Sequence, residues 1–174
     1  MCSVILRSSD GADHVVSQEA ASLSKTVQSL LEELEAAKDG EESILIVPLP
    51  NVCDCTLRKV LQYCIQHTMS AQQVTEGPTP SDELKKREME AWDRDYIMVS
   101  TDELYHLVMA AHYLNVPGLL ELCCEGIANL IRGKSPEHVR QCFGLVKDFE
   151  APEEESIRCT NLWALVDEKE QAKK

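Results

Sequence analysis

Between Pro117 and Ile131 the chain reads as a helix with almost no polar side. Proline opens it and Gly133 lies just past its end; both mark its limits, since proline suits the first turn and glycine takes the left-handed conformation that closes a helix. Leu120, Cys123, Cys124, Ile127, Leu130 and Ile131 form a wide stripe, which Leu119, Leu122 and Gly126 carry further round the cylinder. A helix this apolar must be covered on nearly every side. The cover comes either from the chain's own helices, expected at residues 104–114 and 136–142, or in part from the helices of a partner. In the second case the protein alone exposes more than the roughly few hundred Å² of apolar patch usual on a monomer. Periodicity leaves both open.

The segment after this helix, GKSPEHVRQCFGLVKDFEAPEEESIRCTNLW at residues 133–163, begins a new helix at Pro136, passes an acidic hinge and ends in a tryptophan. From its residues alone, Trp163 reads as a tail side chain folded back on its own domain.

Upstream, Ser3-Val4-Ile5-Leu6-Arg7 alternates as a half-buried strand does, and Asp10-Gly11 before His14-Val15-Val16 signals a hairpin. Residues 24–37 place Val27, Leu30, Leu31 and Leu34 at helical spacing, with Ser24 as the cap. Ser43-Ile44-Leu45-Ile46-Val47 is a nearly continuous apolar run, expected to be a strand buried on both faces and stopped by Pro48 and Pro50. Asp54 is expected to cap a helix carrying Leu57, Val60, Leu61, Cys64 and Ile65. Residues 68–90 lose the apolar period and read as a linker or mobile insertion, with Lys85-Lys86-Arg87 as solvated charge. Order resumes at Trp92 to Ile97, followed by a helix with Leu104, Leu107, Val108 and Ala111 on one stripe. The pattern describes a small α/β domain at 1–132, built on three short strands, and an extension at 133–174.

Several classes of chemistry find no support. In 174 residues, 44% hydrophobic and 27% charged, the composition is that of one compact unit with a tail. A formal charge of −13 disfavours nucleic-acid and anionic-membrane surfaces, whose binding depends on Lys and Arg. No run approaches the roughly 18 to 20 apolar residues of a membrane span, and the amino terminus has no basic-then-apolar leader, so a soluble protein of the reducing cytoplasm and nucleus is expected. The eight cysteines make no disulfide framework. Cys53-x-Cys55, with Cys64 and His67 beyond, is poorly spaced for zinc, so no metal is expected. No nucleophile elbow, phosphate loop or HExxH helix occurs, and the run Glu153-Glu154-Glu155 lacks the apolar surroundings that raise a carboxyl pKa. Neither a cofactor nor catalysis is implied.

Four pieces of the sequence, in order, resemble the Skp-type adaptor subunit of SCF (Skp–cullin–F-box) E3 ubiquitin ligases. They are Ser8-Ser9-Asp10-Gly11; Val47-Pro48-Leu49-Pro50-Asn51-Val52; Trp92-Asp93 with Tyr96; and the block from Leu104 to Trp163, which includes Ala128-Asn129-Leu130-Ile131-Arg132-Gly133-Lys134-Ser135-Pro136-Glu137 and Asp148-Phe149. The resemblance implies a BTB/POZ α/β fold with a two-helix carboxy-terminal extension, and a non-catalytic adaptor between a cullin scaffold and F-box substrate receptors. It puts the cullin contact on His112 and Tyr113, where relatives carry Asn-Tyr. Histidine is larger than asparagine and its charge changes near neutral pH. It puts the F-box contact on Leu120, Cys124, Ile127, Ile131, Pro136, Val139 and Trp163. In some relatives the proline matching Pro136 is hydroxylated and glycosylated, which makes Pro136 a candidate modification site. A weak homodimer through the uncovered F-box face is expected when no F-box is bound. The alternative is a BTB-type structural or self-associating subunit, like elongin C or a kinetochore component, acting outside a ligase; the extension past Gly133 speaks for the adaptor.

Overall fold

The computed structural model describes residues 3–36, 45–72, 80–146 and 149–161. The first two strands, β1 (Ser3–Arg7) and β2 (Asp13–Ser17), form the expected hairpin, with Ile5 opposite Val15 and Arg7 opposite Asp13. Gly11 sits at φ 83°, the left-handed backbone that the Asp-Gly turn requires. Arg7 donates Nε to Asp13 Oδ1 at 2.6 Å and Nη2 to Oδ2 at 2.9 Å, closing the hairpin mouth with a bidentate pair.

The third strand, β3 (Leu45–Pro48), lies parallel to β1 on its other side, in the order β2-β1-β3. Val4, Leu6, Val16 and Val47 are buried on one face. On the other, Val15 is 69% and Ile46 43% exposed, in register with Ile5 between them. The expectation of a strand buried on both faces is therefore corrected: β3 is an edge strand, and only one side of this small sheet is covered. Ser43 and Ile44 lie outside the described residues.

The helices follow the punctuation of the sequence. A one-turn α1 (Gln18–Ala21) is capped by Ser17, and α2 (Lys25–Ala36) by Ser24, whose hydroxyl accepts the Val27 N–H at 3.2 Å. Asp54 begins α3 (Asp54–Gln72) but does not cap it, because the Cys53 carbonyl already accepts the Leu57 N–H. The Asp54 carboxylate turns instead to His14 Nε2 at 2.7 Å and to Arg58 at 2.8 Å, tying the hairpin to the helix.

Next comes α4 (Pro80–Tyr96), and it overturns the linker expected at 68–90. Residues 68–72 are the last turns of α3 and 80–90 the first turns of α4, while 73–79 lie outside the described residues. The first turns of α4 are rich in Glu, Lys, Leu and Met, which favour helix without needing an apolar face. Its anchor is at the far end: Trp92 and Tyr96 stack with centroids 4.9 Å apart, Tyr96 Oη donates to the Lys59 carbonyl at 2.7 Å, and His67 pairs with Asp93 at 2.9 Å.

Four helices complete the chain: α5 (Thr101–Tyr113), α6 (Pro117–Ile131), α7 (Pro136–Cys142) and α8 (Ala151–Thr160). The core beneath the sheet is built from Leu49, Leu57, Leu104, Leu107, Leu114 and Leu119, all essentially inaccessible. Gly118 permits the close approach of α6, since a Cβ there would stand 2.8 Å from the Tyr63 hydroxyl. The chain divides into two compact units, Met1–Ile127 and Ala128–Lys174, whose boundary falls inside α6.

Candidate functional site

The end of α5 is fixed from behind. Buried Ser24 caps α2 and donates its hydroxyl to the Leu114 carbonyl at 2.5 Å, while Thr26 Oγ1 reaches the Tyr113 carbonyl at 3.1 Å. The backbone N–H groups of Lys25 and Thr26 add bonds to Asn115 and Leu114. The first turn of α2 thus takes up carbonyls that the last turn of α5 leaves without helical partners. At the other end Ser100 caps α5, and Lys59 pairs with Glu103 at 3.1 Å, which holds that carboxyl below the usual range. On this rigid helix end His112 is exposed and Tyr113 is half-buried against the core. Met109 and Tyr105, about one and two turns back from His112, are exposed as well.

In α6 the apolar residues separate into two faces that composition alone could not order. Leu119, Cys123 and Gly126 are buried and face the core of the first unit. Leu120 and Ile127 are half-buried and Cys124 is exposed, and their spacing of four and three puts them on a common stripe. That stripe contains the first three residues expected to meet an F-box.

The second unit, taken by itself, is of a different kind. No described residue of it is buried, whereas Val146 is 80%, Ile157 45% and Ile131 41% exposed. Of the expected contact residues here, Ile131 and Pro136 are exposed and Val139 is half-buried; Trp163 lies outside the described residues, as does Asp148. Polar bonds hold its helices together. Arg158 donates to Glu137 at 3.0 Å and lies 3.6 Å from Glu154, which also receives Arg140 at 3.4 Å. Glu137 is held below the usual carboxyl range by its own backbone N–H at the start of α7, with Ser135 and Arg158 adding to it. Glu153 caps α8 by accepting the Glu150 N–H. Beside these bonds a groove of about 210 Å³ is lined by Pro136, Phe149 and Ile157 on its apolar side and by Arg140, Arg158 and Asn161 on its polar side. The sequence reading missed this groove and the arginines that border it; the four-residue step from Glu154 to Arg158 was the available signal.

Two domains of the Skp1 family match the sequence: its tetramerisation domain over residues 2–69, from β1 into α3, and its dimerisation domain over residues 117–164, from α6 past α8. Similarity to individual relatives runs through nearly the whole chain. SKP1-like protein 1A of Arabidopsis thaliana is 37% identical over 92% of this chain and 96% of its own length. The chain belongs to the Skp1 family. Among other relatives, the suppressor of kinetochore protein 1 of Schizosaccharomyces pombe is 38% identical over 94% of this chain and 98% of its own length. The E3 ubiquitin ligase complex SCF subunit sconC of Talaromyces marneffei is 36% identical over 92% and 96%. The Skp1-type POZ architecture accounts for the three-stranded sheet under helices. The α5 end carrying His112 and Tyr113 lies between the two matched domains, and the outer stripe of α6 and the second unit as far as residue 164 fall in the dimerisation domain.

Proposed function

We propose that this protein is the adaptor subunit of an SCF-type ubiquitin ligase, joining a cullin scaffold to F-box substrate receptors and contributing no chemistry of its own. The observation that carries the reading is the second unit: folded helices held by ion pairs and caps, with no buried residue among those described, and apolar side chains left outward. Such a surface is completed by another chain's helices. Relatives named as an SCF subunit and as SKP1-like proteins support the same reading. In it, Leu120, Cys124, Ile127, Ile131, Pro136, Val139 and Trp163 receive the F-box, and His112 with Tyr113 meets the cullin.

The test is a reconstitution in which the protein is mixed with an F-box fragment and a cullin amino-terminal fragment, each tagged differently. A ternary complex is expected, with His112→Lys losing the cullin alone. Failure to capture either fragment would overturn the adaptor role. Self-association in the absence of an F-box is a second reading, favoured by the oligomerisation domains that the sequence matches. Sedimentation should show a homodimer replaced by a heterodimer when the F-box fragment is added; a homodimer that survives the addition uses another surface.

A further inference from the structure

Where β3 hands over to α3, the sequence Val52-Cys53-Asp54-Cys55-Thr56 places one thiol on the residue before the helix and a second in its first turn. Their sulfurs converge to 3.1 Å, roughly one ångström more than a ~2.05 Å disulfide bond. Cys53 is half-buried and Cys55 exposed, so the pair is open to small reagents. The nearest cysteine along α3, Cys64, is buried in the core, and no group of three or more His, Cys, Asp or Glu that could hold a metal occurs among the described residues. The arrangement is that of two facing thiols, without the further ligands of a structural zinc site.

We propose that Cys53 and Cys55 form a redox-active dithiol that closes reversibly to an intrahelical disulfide when the protein meets a hydroperoxide. Cys53 is the attacking sulfur. The Thr56 hydroxyl at 3.1 Å, the Cys55 thiol and the Thr56 backbone N–H stabilise its thiolate and lower its pKa, against smaller opposing effects of partial burial and of Asp10. The core cysteines behave in the opposite way: burial pushes Cys64 up to about 12 and Cys123 up to about 11. In the first step the Cys53 thiolate attacks a peroxide oxygen. The O–O bond breaks, the departing oxygen takes a proton and leaves as water or an alcohol, and Cys53 becomes a sulfenic acid. In the second, the Cys55 sulfur attacks Cys53 Sγ; the S–O bond breaks, and hydroxide leaves as water with the Cys55 proton. Two electrons pass from the two thiols to one peroxide, and a dithiol reductant reverses the change.

The ring formed this way contains the backbone of Asp54. That residue's N–H is accepted by Asp10 at 2.9 Å, and its carboxylate holds His14 and Arg58. Closing the disulfide therefore bears on a residue that straps the β1–β2 hairpin to α3, and couples the sulfur chemistry to the geometry of the first unit.

The experiment titrates the full chain with hydrogen peroxide, blocks remaining thiols by alkylation and digests with trypsin. Peptide 39–58 carries Cys53 and Cys55 and no other cysteine. Loss of two hydrogens from that peptide, reversed by dithiothreitol and reached before the exposed Cys142 and Cys159 are oxidised, is the expected result. In Cys55→Ser, dimedone should trap a sulfenic acid at Cys53. In Thr56→Val, which keeps the volume of the side chain, alkylation of Cys53 should slow several-fold while that of Cys142 is unchanged. Oxidation of Cys53 no faster than of Cys142 and Cys159, or disulfides joining Cys53 to another chain instead of to Cys55, overturns the proposal.

Discussion

The two units of this protein satisfy their apolar residues in opposite ways. In Met1–Ile127, leucines and valines from the strands and from α2, α3, α5 and α6 close on one another, and even the buried Ser24 has its hydroxyl fully engaged. In Ala128–Lys174 the described helices are joined by Arg140, Arg158, Glu137 and Glu154 at the surface, while Ile131, Phe149 and Ile157 stay accessible. Surface ion pairs contribute little, typically about 0 to 1 kcal/mol each, whereas a buried leucine contributes about 2 kcal/mol or more. The first unit carries the stability, whereas the described helices of the second leave apolar side chains accessible.

The largest break in that contrast should come from alkali. Burial pushes Tyr63 and Cys64 up to about 12 and Cys123 up to about 11, and raises Tyr96 further. Each stays protonated in the folded state at a pH where the unfolded chain has already lost the proton. Their contribution is therefore complete below about pH 9 and falls as the pH climbs through the folded values. In a Tyr105→Phe, Tyr113→Phe protein, which keeps only Tyr63 and Tyr96, tyrosine absorbance and far-ultraviolet circular dichroism should change together as the first unit unfolds; absorbance that changes with the fold intact would contradict this burial.

Truncation is the next test. Leu57→Ala should cost about 3 kcal/mol in denaturant unfolding, whereas Ile157→Ala should stay within about 0.5 kcal/mol. Similar losses at the two sites would abolish the distinction between the units. Binding should reverse the ranking: Ile131→Asp is expected to weaken an F-box fragment by about 2 kcal/mol, close to thirtyfold, at an unchanged melting temperature. Isothermal titration beside a thermal melt separates these outcomes.

The smaller effects sharpen the contrast. Ser24→Ala removes a cap and leaves the Leu114 carbonyl without its donor, for about 1.5 kcal/mol of stability. Arg158→Ala should cost under about 0.5 kcal/mol, because the Arg158 side chain is half exposed and its shorter pair, with the exposed Glu137, is solvated. A larger loss in thermal melts would show that α7 and α8 depend on those ion pairs.

Much of this was legible in the sequence because short-range chemistry marks it. Asp10-Gly11 specified the hairpin, Ser24 the start of α2, and Pro117 with Gly133 the span of α6. What depended on long-range packing was not. The charged first turns of α4 show no apolar period because the helix is anchored to the core at its far end, through Trp92, Asp93 and Tyr96. Ile46 looks like a core residue by composition and is exposed because, among the described residues, none covers that side of β3. At the candidate site, periodicity found an over-apolar α6 but could not choose its inner face; that choice rests on where Leu119 and Cys123 meet the first unit's core. The family resemblance supplied partners that no spacing rule could.

The clamp of α2 on the end of α5 bears on speed as much as on strength. In the adaptor role proposed above, a cullin-facing surface whose backbone is already immobilised by Ser24, Lys25 and Thr26 would lose little conformational entropy on docking and could dock as a rigid body. Such a surface would favour rapid encounter and leave differences in affinity mainly to the dissociation rate.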